Sequence, residues 1–296
     1  MTRRVPAPPA DLTLVHAWID RAGAHLRQSA PDLAGVVADY VGEAHFGASA
    51  LASDLAIAGP GARVLEVGAG AALLSAALQS IGFRVTALEP LGDGFSHMAR
   101  LRSLVLAHAD TTGARPETLD IPAEALARPG AFDFAFSINV MEHVADPAAV
   151  LRQVLASLRP GGRYRFVCPN YTFPFEPHFN IPTLGSKART WRVFQRRILA
   201  SPVVVDPEGT WASLNWITVG SVRRACAALG VHPTFDRGLT RTFLQRALDD
   251  PSFQRRHGAV VRGIASAVGA LGLHHAALLL PPALQPAMSC CIERPA

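Results

Sequence analysis

Residues 64–74 read Val-Leu-Glu-Val-Gly-Ala-Gly-Ala-Ala-Leu-Leu, and this stretch decides the fold. Three apolar residues, Val64, Leu65 and Val67, form a short run typical of a strand buried on both faces. The run breaks at two glycines, after which apolar residues recur at helical spacing. Such a turn between a strand and a helix exposes backbone N–H groups and admits a ligand close to the chain. The stretch therefore predicts an α/β sheet that holds a nucleotide-like cofactor at its carboxyl edge.

The glycine spacing indicates which nucleotide the loop would hold. A dinucleotide fingerprint, G-x-G-x-x-G, that began at Gly68 would place its third glycine at position 73, which is Leu73. An acidic residue, Glu89, follows the next apolar run and lies 19 residues beyond Gly70. That separation is near the ~20 residues expected for a carboxylate that accepts hydrogen bonds from ribose hydroxyls. The pattern favours a ribose-containing cofactor and argues against a nicotinamide dinucleotide.

A second stretch extends the argument beyond the loop. Residues 132–162 read FDFAFSINVMEHVADPAAVLRQVLASLRPGG, in which the first phenylalanines alternate as strand residues do. Asp146 is a suitable helix cap with Pro147 at the first helical position, and the apolar residues that follow occupy one helix face. The order is strand, loop, helix and a Pro-Gly-Gly turn, after which residues 163–168 are predicted to form a fifth strand.

These stretches resemble one protein family. Residues 66–72, EVGAGAA, resemble the acidic-x-Gly-x-Gly loop of class I S-adenosylmethionine-dependent methyltransferases, with Ala72 where a third glycine is common. Residues 132–162 resemble the fourth strand, loop and helix of the branch that modifies quinones and other small molecules. The resemblance covers about residues 60–170 and, more weakly, residues 218–238.

The resemblance implies a Rossmann-like α/β fold with a seven-stranded, mostly parallel sheet whose last strand is antiparallel. Residues 1–62 would form a helical N-terminal cap, and residues 63–296 would form the methyltransferase domain. Two lid insertions are predicted, at about 170–217 and 239–286. Between them the patterns predict a helix over 218–230 and a sixth strand over 231–237, and residues 288–293 would supply the seventh strand.

Composition limits the function classes. The chain has 296 residues, of which 49% are hydrophobic and 17% charged, with a formal net charge of +5. No basic run alternates with aromatic residues, which argues against a nucleic-acid substrate. The four cysteines form no C-x-x-C pattern, and no metal-ligand spacing occurs, which predicts a metal-independent reaction. The N-terminus lacks the apolar core of a signal peptide, so a cytoplasmic location is predicted.

An apolar segment at residues 263–280 leaves two interpretations open. No residue between Arg262 and Pro281 is formally charged, apart from any protonation of His274 and His275. The segment is too short and too rich in glycine for a membrane span. It would be a helix buried against the lid or a homodimer partner, or an interfacial helix that collects a lipophilic substrate. The second interpretation predicts a peripheral location at the inner membrane face.

The resemblance assigns the cofactor, S-adenosylmethionine, to loops that follow the strands. The glycine loop would let the methionine end of the cofactor lie close to its backbone, and Glu66 would orient that end. Glu89 would accept hydrogen bonds from both ribose hydroxyls. Asp120 is an alternative adenine contact, because Pro122 stands where relatives often have aspartate. Ser137 and Asn139 would face the reacting methyl group, although a turn-capping role for Asn139 is an equal alternative. The predicted cofactor-binding residues are Glu66, Gly68, Ala69, Gly70, Glu89, Pro90, Ala123, Glu124, Ser137 and Asn139.

The candidate catalytic residues lie in two loops. Glu142 and His143 either brace the loop after the fourth strand or place His143 beside the substrate as a base. Residues 168–182 pack polar groups between aromatic residues and prolines, which form a rigid substrate surface or only a lid hinge. In that segment His178 and Glu176 are predicted to be catalytic, and Asn170 and Tyr171 to bind substrate.

The predicted function is S-adenosylmethionine-dependent methyl transfer to oxygen of a small or lipid-linked molecule, such as an envelope-glycan sugar or a natural product. One alternative is a catalytically silent protein that binds cofactor and a partner through residues 263–280. A nicotinamide-dependent oxidoreductase is a less favoured alternative because of Leu73.

Overall fold

The structure, a computed structural model, describes residues 12–90, 96–202, 204–241 and 276–296, together with Gly263, Ala267 and Val268. The chain divides into two compact units. Unit 1 comprises Met1–Ile138, Gln153–Arg165 and Arg294–Ala296. Unit 2 comprises Asn139–Arg152 and Phe166–Glu293. The predicted division into a cap and a main domain at residues 62 and 63 stays a prediction.

A seven-stranded sheet has the order β3-β2-β1-β4-β5-β9-β8. The strand β1 pairs in parallel with β2 and with β4, β2 pairs in parallel with β3, and β8 and β9 pair antiparallel. This topology confirms the predicted Rossmann-like α/β fold with a mostly parallel sheet. The strands are β1 (Arg63–Val67), β2 (Arg84–Leu88), β3 (Glu117–Leu119), β4 (Phe132–Ile138), β5 (Leu158–Pro169), β6 (Phe175–Glu176), β7 (Ile181–Pro182), β8 (Thr234–Asp236) and β9 (Ala287–Glu293).

Two helices, α1 and α2, come before β1, and further helices connect the strands of the sheet. The helix α1 packs against α2, α3 and α4 because its apolar residues recur on one face, where Val15, Ile19 and Leu26 are buried. Among the described residues, no helix has both the length and the apolar character that crossing a membrane requires. The helices are α1 (Thr13–Ser29), α2 (Ala34–Ala58), α3 (Leu73–Ser80), α4 (Ser96–Thr111), α5 (Pro147–Ser157), α6 (Lys187–Leu199), α7 (Pro207–Ser213) and α8 (Val219–Ala228).

The start of β5 differs from the prediction. The sequence pattern placed a turn at Gly161 and Gly162 and began the strand at Arg163, whereas the strand begins at Leu158. The Gly161 N–H donates to the carbonyl of Arg294 at 2.9 Å, and the Arg294 N–H donates to the carbonyl of Gly162 at 2.8 Å. The glycines therefore lie inside a paired segment, and Gly161 adopts a φ of 72°, which glycine accepts without strain.

In unit 2, the region predicted as the first insertion contains the hairpin β6–β7 and the helices α6 and α7. The helix predicted over residues 218–230 is α8, and Thr218 and Ser221 form a capping box at its start. The predicted sixth and seventh strands are β8 and β9, with slightly different ends. The second predicted insertion, at 239–286, lies largely outside the described residues.

Candidate active site

The glycine loop after β1 is fixed to the end of β2. The N–H groups of Gly68 and Ala69 both donate to the carbonyl of Leu88, at 2.8 and 3.0 Å. Gly68 and Gly70 have φ values of 74° and 52°, a left-handed conformation that glycine accepts most readily. A Cβ at Gly70 would lie 3.5 Å from the Met98 side chain and have no closer neighbour outside the adjacent residues. The loop therefore leaves space beside its backbone, as a closely approaching ligand requires.

Ala72 completes this loop in an unusual conformation. Its φ of 59° is left-handed although it carries a Cβ, and it is fully buried just before α3. For a residue other than glycine this conformation costs roughly 1–2 kcal/mol. The strain gives a physical reason for a third glycine at the matching position of similar loops.

Glu89 lies directly after β2 and contacts the glycine loop. Its Oε2 accepts a hydrogen bond from the Gly70 N–H at 2.9 Å. Burial raises the pKa of Glu89 above its ordinary value, while the Gly70 N–H and the charge of Arg102 partly oppose that rise. A carboxylate in this position retains lone pairs for the two hydroxyls of a ribose.

Glu66 is the buried acid that precedes the glycine loop. It is 6% exposed and accepts a hydrogen bond from the Ser75 hydroxyl. Burial raises the pKa of Glu66 to about 8, with a smaller contribution from the negative charge of Glu89. The carboxyl therefore holds a proton at neutral pH in the absence of a nearby cation.

Arg102 is a residue of this site that the sequence analysis missed. It is 3% exposed, and its guanidinium donates to the carbonyl of Glu89 at 3.4 Å and to Asp120 Oδ1 at 2.6 Å. Asp120, the alternative adenine contact, is thus held in an ion pair. An arginine between apolar residues of an α4 face was the one available signal, since Leu101 and Val105 are buried beside it.

The remaining predicted cofactor residues of unit 1 have mixed surroundings. Ala123 is buried at the start of a short 3-10 helix that also contains Glu124, and Pro90 is exposed. Ser137 is fully buried, and its hydroxyl shares a hydrogen bond of 2.9 Å with the Tyr164 hydroxyl. Contact of Ser137 with a methyl group stays a prediction.

Asn139 and Asn170 of unit 2 have backbone roles in the structure. Asn139 has a φ of 55°, and its N–H donates to the carbonyl of Val167 at 2.8 Å. The Asn170 side chain is 1% exposed, and its amide donates to the carbonyls of Ala283 and Gln285 at 3.1 and 2.8 Å. These contacts favour loop-bracing roles, and substrate contact by Asn170 stays a prediction.

Glu176, the last residue of β6, and His178, in the loop between β6 and β7, form a hydrogen-bonded pair. The Glu176 side chain is fully buried, and its Oε1 lies 2.5 Å from His178 Nδ1. The same oxygen accepts from the Tyr171 hydroxyl at 3.2 Å, and Oε2 accepts from the Phe179 N–H at 2.8 Å. Burial opposes ionisation, but the hydrogen bond and charge of His178 outweigh it and lower the pKa of Glu176. The structure thus places Tyr171, Glu176 and His178, which were predicted from one segment, in direct contact.

His143 lies beside this pair. Its ring centroid is 5.1 Å from that of His178, at an edge-on angle of 77°. Its Nδ1 lies 2.8 Å from the Ser213 hydroxyl, which itself donates to the carbonyl of Thr210 at 2.8 Å. Burial, followed by the positive charge of His178, lowers the pKa of His143 below its ordinary value. The lowered pKa favours the neutral imidazole, and a proton on Nδ1 matches the Ser213 hydroxyl, whose own proton is directed to Thr210.

Trp216 has an unusual backbone conformation. It has a φ of 60°, which is rare for a bulky residue, and its ring stacks on Tyr171 at 4.4 Å. Asn215 fixes this turn, because its side-chain amide donates to the carbonyls of Met141 and Val144 at 2.7 and 2.8 Å. Such enforced strain occurs most often at functional sites.

Comparison with known proteins identifies relatives at several distances. A family model described as a methyltransferase domain matches residues 43–230, more than half of the chain. An uncharacterized protein of Mycobacterium tuberculosis is 43% identical over 284 residues, which cover 94% of this chain and 96% of that protein. A ubiquinone biosynthesis O-methyltransferase of Xanthomonas campestris pv. campestris is 40% identical over 107 residues, or 36% of this chain and 42% of that enzyme.

Among solved structures, the [4+2]-cyclase SpnF has a similar fold. The similarity has a TM-score of 0.51 at 17% identity and covers 86% of this chain and 82% of that protein. A shared fold can carry unrelated reactions, so this likeness supports the architecture and leaves the reaction to the site residues and the family match.

Proposed function

Because the chain belongs to the class I S-adenosylmethionine-dependent methyltransferases, we propose that it methylates an oxygen atom of a small or lipid-linked molecule. The cofactor is S-adenosylmethionine, which supplies an electrophilic methyl group on a sulfonium. The observation that carries the choice of oxygen is the Glu176–His178 pair, whose atoms Oε1 and Nδ1 are 2.5 Å apart. A hydroxyl acceptor requires removal of a proton, and a histidine oriented by a carboxylate is suited to that task.

The residues of unit 1 fit the cofactor chemically. The Glu89 carboxylate would accept hydrogen bonds from both ribose hydroxyls, and the open backbone at Gly68 and Gly70 would lie beside the methionine end. Glu66 would bind the amino group of that end, because a buried carboxyl gains most from a cation. Ala123 and Glu124 would lie beside the adenine.

The residues of unit 2 would act on the acceptor. Glu176 accepts the Nδ1 proton of His178, so Nε2 of His178 is the ring nitrogen that would take the acceptor proton. A general base of this kind contributes a rate gain of ~10²–10⁴. In this proposal Tyr171, whose hydroxyl also donates to Glu176, binds the acceptor. His143 contacts the His178 ring edge-on and helps to fix its orientation.

Two further observations bear on the acceptor class. The match to a ubiquinone biosynthesis O-methyltransferase supports oxygen as the acceptor atom, although it covers 36% of this chain. Leu279 and Leu284 are 79% and 52% exposed, which supports contact with a lipophilic substrate. The apolar segment 263–280 lies mostly outside the described residues, and its contact with membrane or a homodimer partner stays a prediction.

The family match favours methyl transfer over nicotinamide-dependent oxidation. The silent cofactor-binding alternative is separated by an assay with trideuteromethyl-labelled S-adenosylmethionine and a host-cell extract, followed by mass spectrometry. We expect a labelled product with the wild type, and a much slower reaction with His178→Gln. The matched control is His25→Gln, which removes an imidazole of α1 in unit 1 and should react as the wild type does.

The outcomes of this assay separate the alternatives. Cofactor binding without any labelled product would contradict enzymatic methyl transfer and support the silent alternative. A label on nitrogen or carbon would contradict the choice of oxygen. A fully active His178→Gln variant would contradict the proposed base.

A further inference from the structure

Three potential metal ligands converge in unit 2, on residues that the sequence analysis did not combine. Glu142, His143 and His178 each offer a ligand atom, and these atoms lie within 4.8 Å of one another. We propose that they bind one divalent transition-metal ion such as Zn²⁺. Two imidazoles and a carboxylate are a donor set that suits zinc, cobalt and iron better than magnesium or calcium.

The hydrogen bonds of both histidines select the coordinating nitrogen. The Ser213 hydroxyl donates to the carbonyl of Thr210, so it accepts the Nδ1 proton of His143 at 2.8 Å. The Glu176 carboxylate likewise accepts the Nδ1 proton of His178 at 2.5 Å. In each neutral ring Nε2 is therefore the nitrogen that offers a lone pair to a metal, and metal binding would displace the Nε2 proton of a charged His178 ring. A carboxylate or hydroxyl behind a histidine is the usual outer support of a metal ligand.

Charge and burial favour a cation in this cluster. The side chains of Glu142 and Glu176 are both fully buried, and buried carboxylates are stabilised by paired cations or metals. The Lys187 ammonium donates to the carbonyls of Ala212 and Leu214. A dication at the three ligand atoms would interact favourably with both buried carboxylates.

The geometry needs only a modest adjustment. Tetrahedral zinc with bonds of ~2.0–2.1 Å holds its ligand atoms roughly 3.3 Å apart. Here His143 Nε2 lies 4.0 Å from Glu142 Oε1, and all three ligand atoms lie within 4.8 Å of one another. Side-chain rotations that bring these atoms closer by up to about 1.5 Å would close the site. The backbone at Glu142 is held in place, because the Asn215 N–H donates to the Glu142 carbonyl at 2.8 Å. Three protein ligands would leave a fourth position open to water.

The site has a consequence that rests on the proposed function. Nε2 of His178 cannot hold a metal and accept a proton at the same time. The metal-loaded chain would therefore lose its base, and Zn²⁺ would inhibit methyl transfer. Metal binding itself does not depend on this consequence.

Titration of the chelator-treated full chain with Co²⁺, followed by visible absorption and calorimetry, tests the site without any activity measurement. We expect one equivalent to bind and give the absorption of a nitrogen- and oxygen-ligated ion. Glu142→Gln and His178→Gln should abolish this spectrum, and His232→Gln, which removes an exposed imidazole of the same unit, should preserve it. Glu176→Gln leaves all three ligands in place and should weaken binding by ~10–100-fold, as loss of an outer support does.

Circular dichroism of each variant verifies its folding, and Glu176→Gln supplies the test if a ligand variant fails to fold. No binding by the wild type, unchanged binding by Glu142→Gln or Glu176→Gln, or a thiolate charge-transfer band would overturn the metal site. Addition of Zn²⁺ to the chelator-treated enzyme is measured separately. Stimulation of methyl transfer by bound Zn²⁺ would contradict the base assignment and leave the metal site standing.

Discussion

Replacement of Glu89 by alanine is the sharpest perturbation of the cofactor site. The carboxylate accepts the Gly70 N–H at 2.9 Å and would accept two ribose hydroxyls when the cofactor binds. A hydrogen bond to a charged group contributes ~1.5–3 kcal/mol, so loss of two such bonds would cost about 3 kcal/mol or more. Because each 1.4 kcal/mol is tenfold in affinity, the dissociation constant should rise by at least ~10²-fold.

A graded series sharpens the expectation. Glu89→Gln keeps one carbonyl oxygen and the size of the side chain but removes the charge, so we expect a smaller loss of roughly 10-fold. Glu117→Gln is the matched control, because Glu117 lies in the same sheet and accepts the Thr86 hydroxyl at 2.8 Å. Its variant should bind the cofactor as the wild type does.

Isothermal titration with S-adenosylmethionine and with its 2′-deoxy analogue measures both effects. If Glu89 binds the ribose, the penalty of Glu89→Ala should be smaller for the analogue, which already lacks one of the two hydroxyls. Wild-type affinity in Glu89→Ala, or an equal penalty for both ligands, would refute the placement of the ribose. Thermal melting verifies that the variant folds.

Three other perturbations test separate parts of unit 1. Because burial raises the pKa of Glu66 to about 8, binding of the cofactor's cationic amino group should displace the Glu66 proton. The affinity should therefore rise by about tenfold between pH 6 and pH 7 and level off near pH 8, and Glu66→Gln should remove this slope in calorimetry. Asp54 is 3% exposed and paired with Arg165, so Asp54→Ala should lower the free energy of unfolding by about 3–5 kcal/mol in urea titrations, and a loss below about 1 kcal/mol would contradict a buried ion pair. Burial, followed by the charge of a neighbouring histidine, lowers the pKa of His16 and of His108. The unfolded chain then binds more protons than the folded chain, so the free energy of unfolding should fall as the pH drops through 6.5. Urea denaturation of His108→Gln should show a weaker pH dependence than the wild type, and an equal dependence would contradict the lowered pKa of His108.

The proximity of the glycine loop and Glu89 was predictable because it depends on local sequence. Gly70 and Glu89 follow adjacent parallel strands, so their contact depends only on strand spacing and the glycine turn. Ala72 marked the departure from the family pattern in the glycine loop, and its left-handed φ of 59° shows why the departure matters. The only signal for Arg102 was its place among apolar residues of α4, which did not reveal its partner Asp120, because that contact depends on what packs against the helix face.

The acceptor side was less predictable because its contacts join distant residues. Asn170 was chosen from its polar surroundings, but its amide bonds the backbone of Ala283 and Gln285 much later in the chain. The early start of β5 depends in the same way on Arg294. His143 and His178 lie on different loops, so no ligand spacing in the sequence revealed the cluster that they form.

Transfer of a trideuteromethyl group to a purified acceptor tests methylation at oxygen most directly. Tandem mass spectrometry and nuclear magnetic resonance would locate the label, and chromatography would measure S-adenosylhomocysteine in the same reaction. We predict a deuterated methyl ether or ester formed in equal amount to S-adenosylhomocysteine. A label on nitrogen or carbon, or unlabelled acceptor after saturation with cofactor, would contradict the proposed reaction.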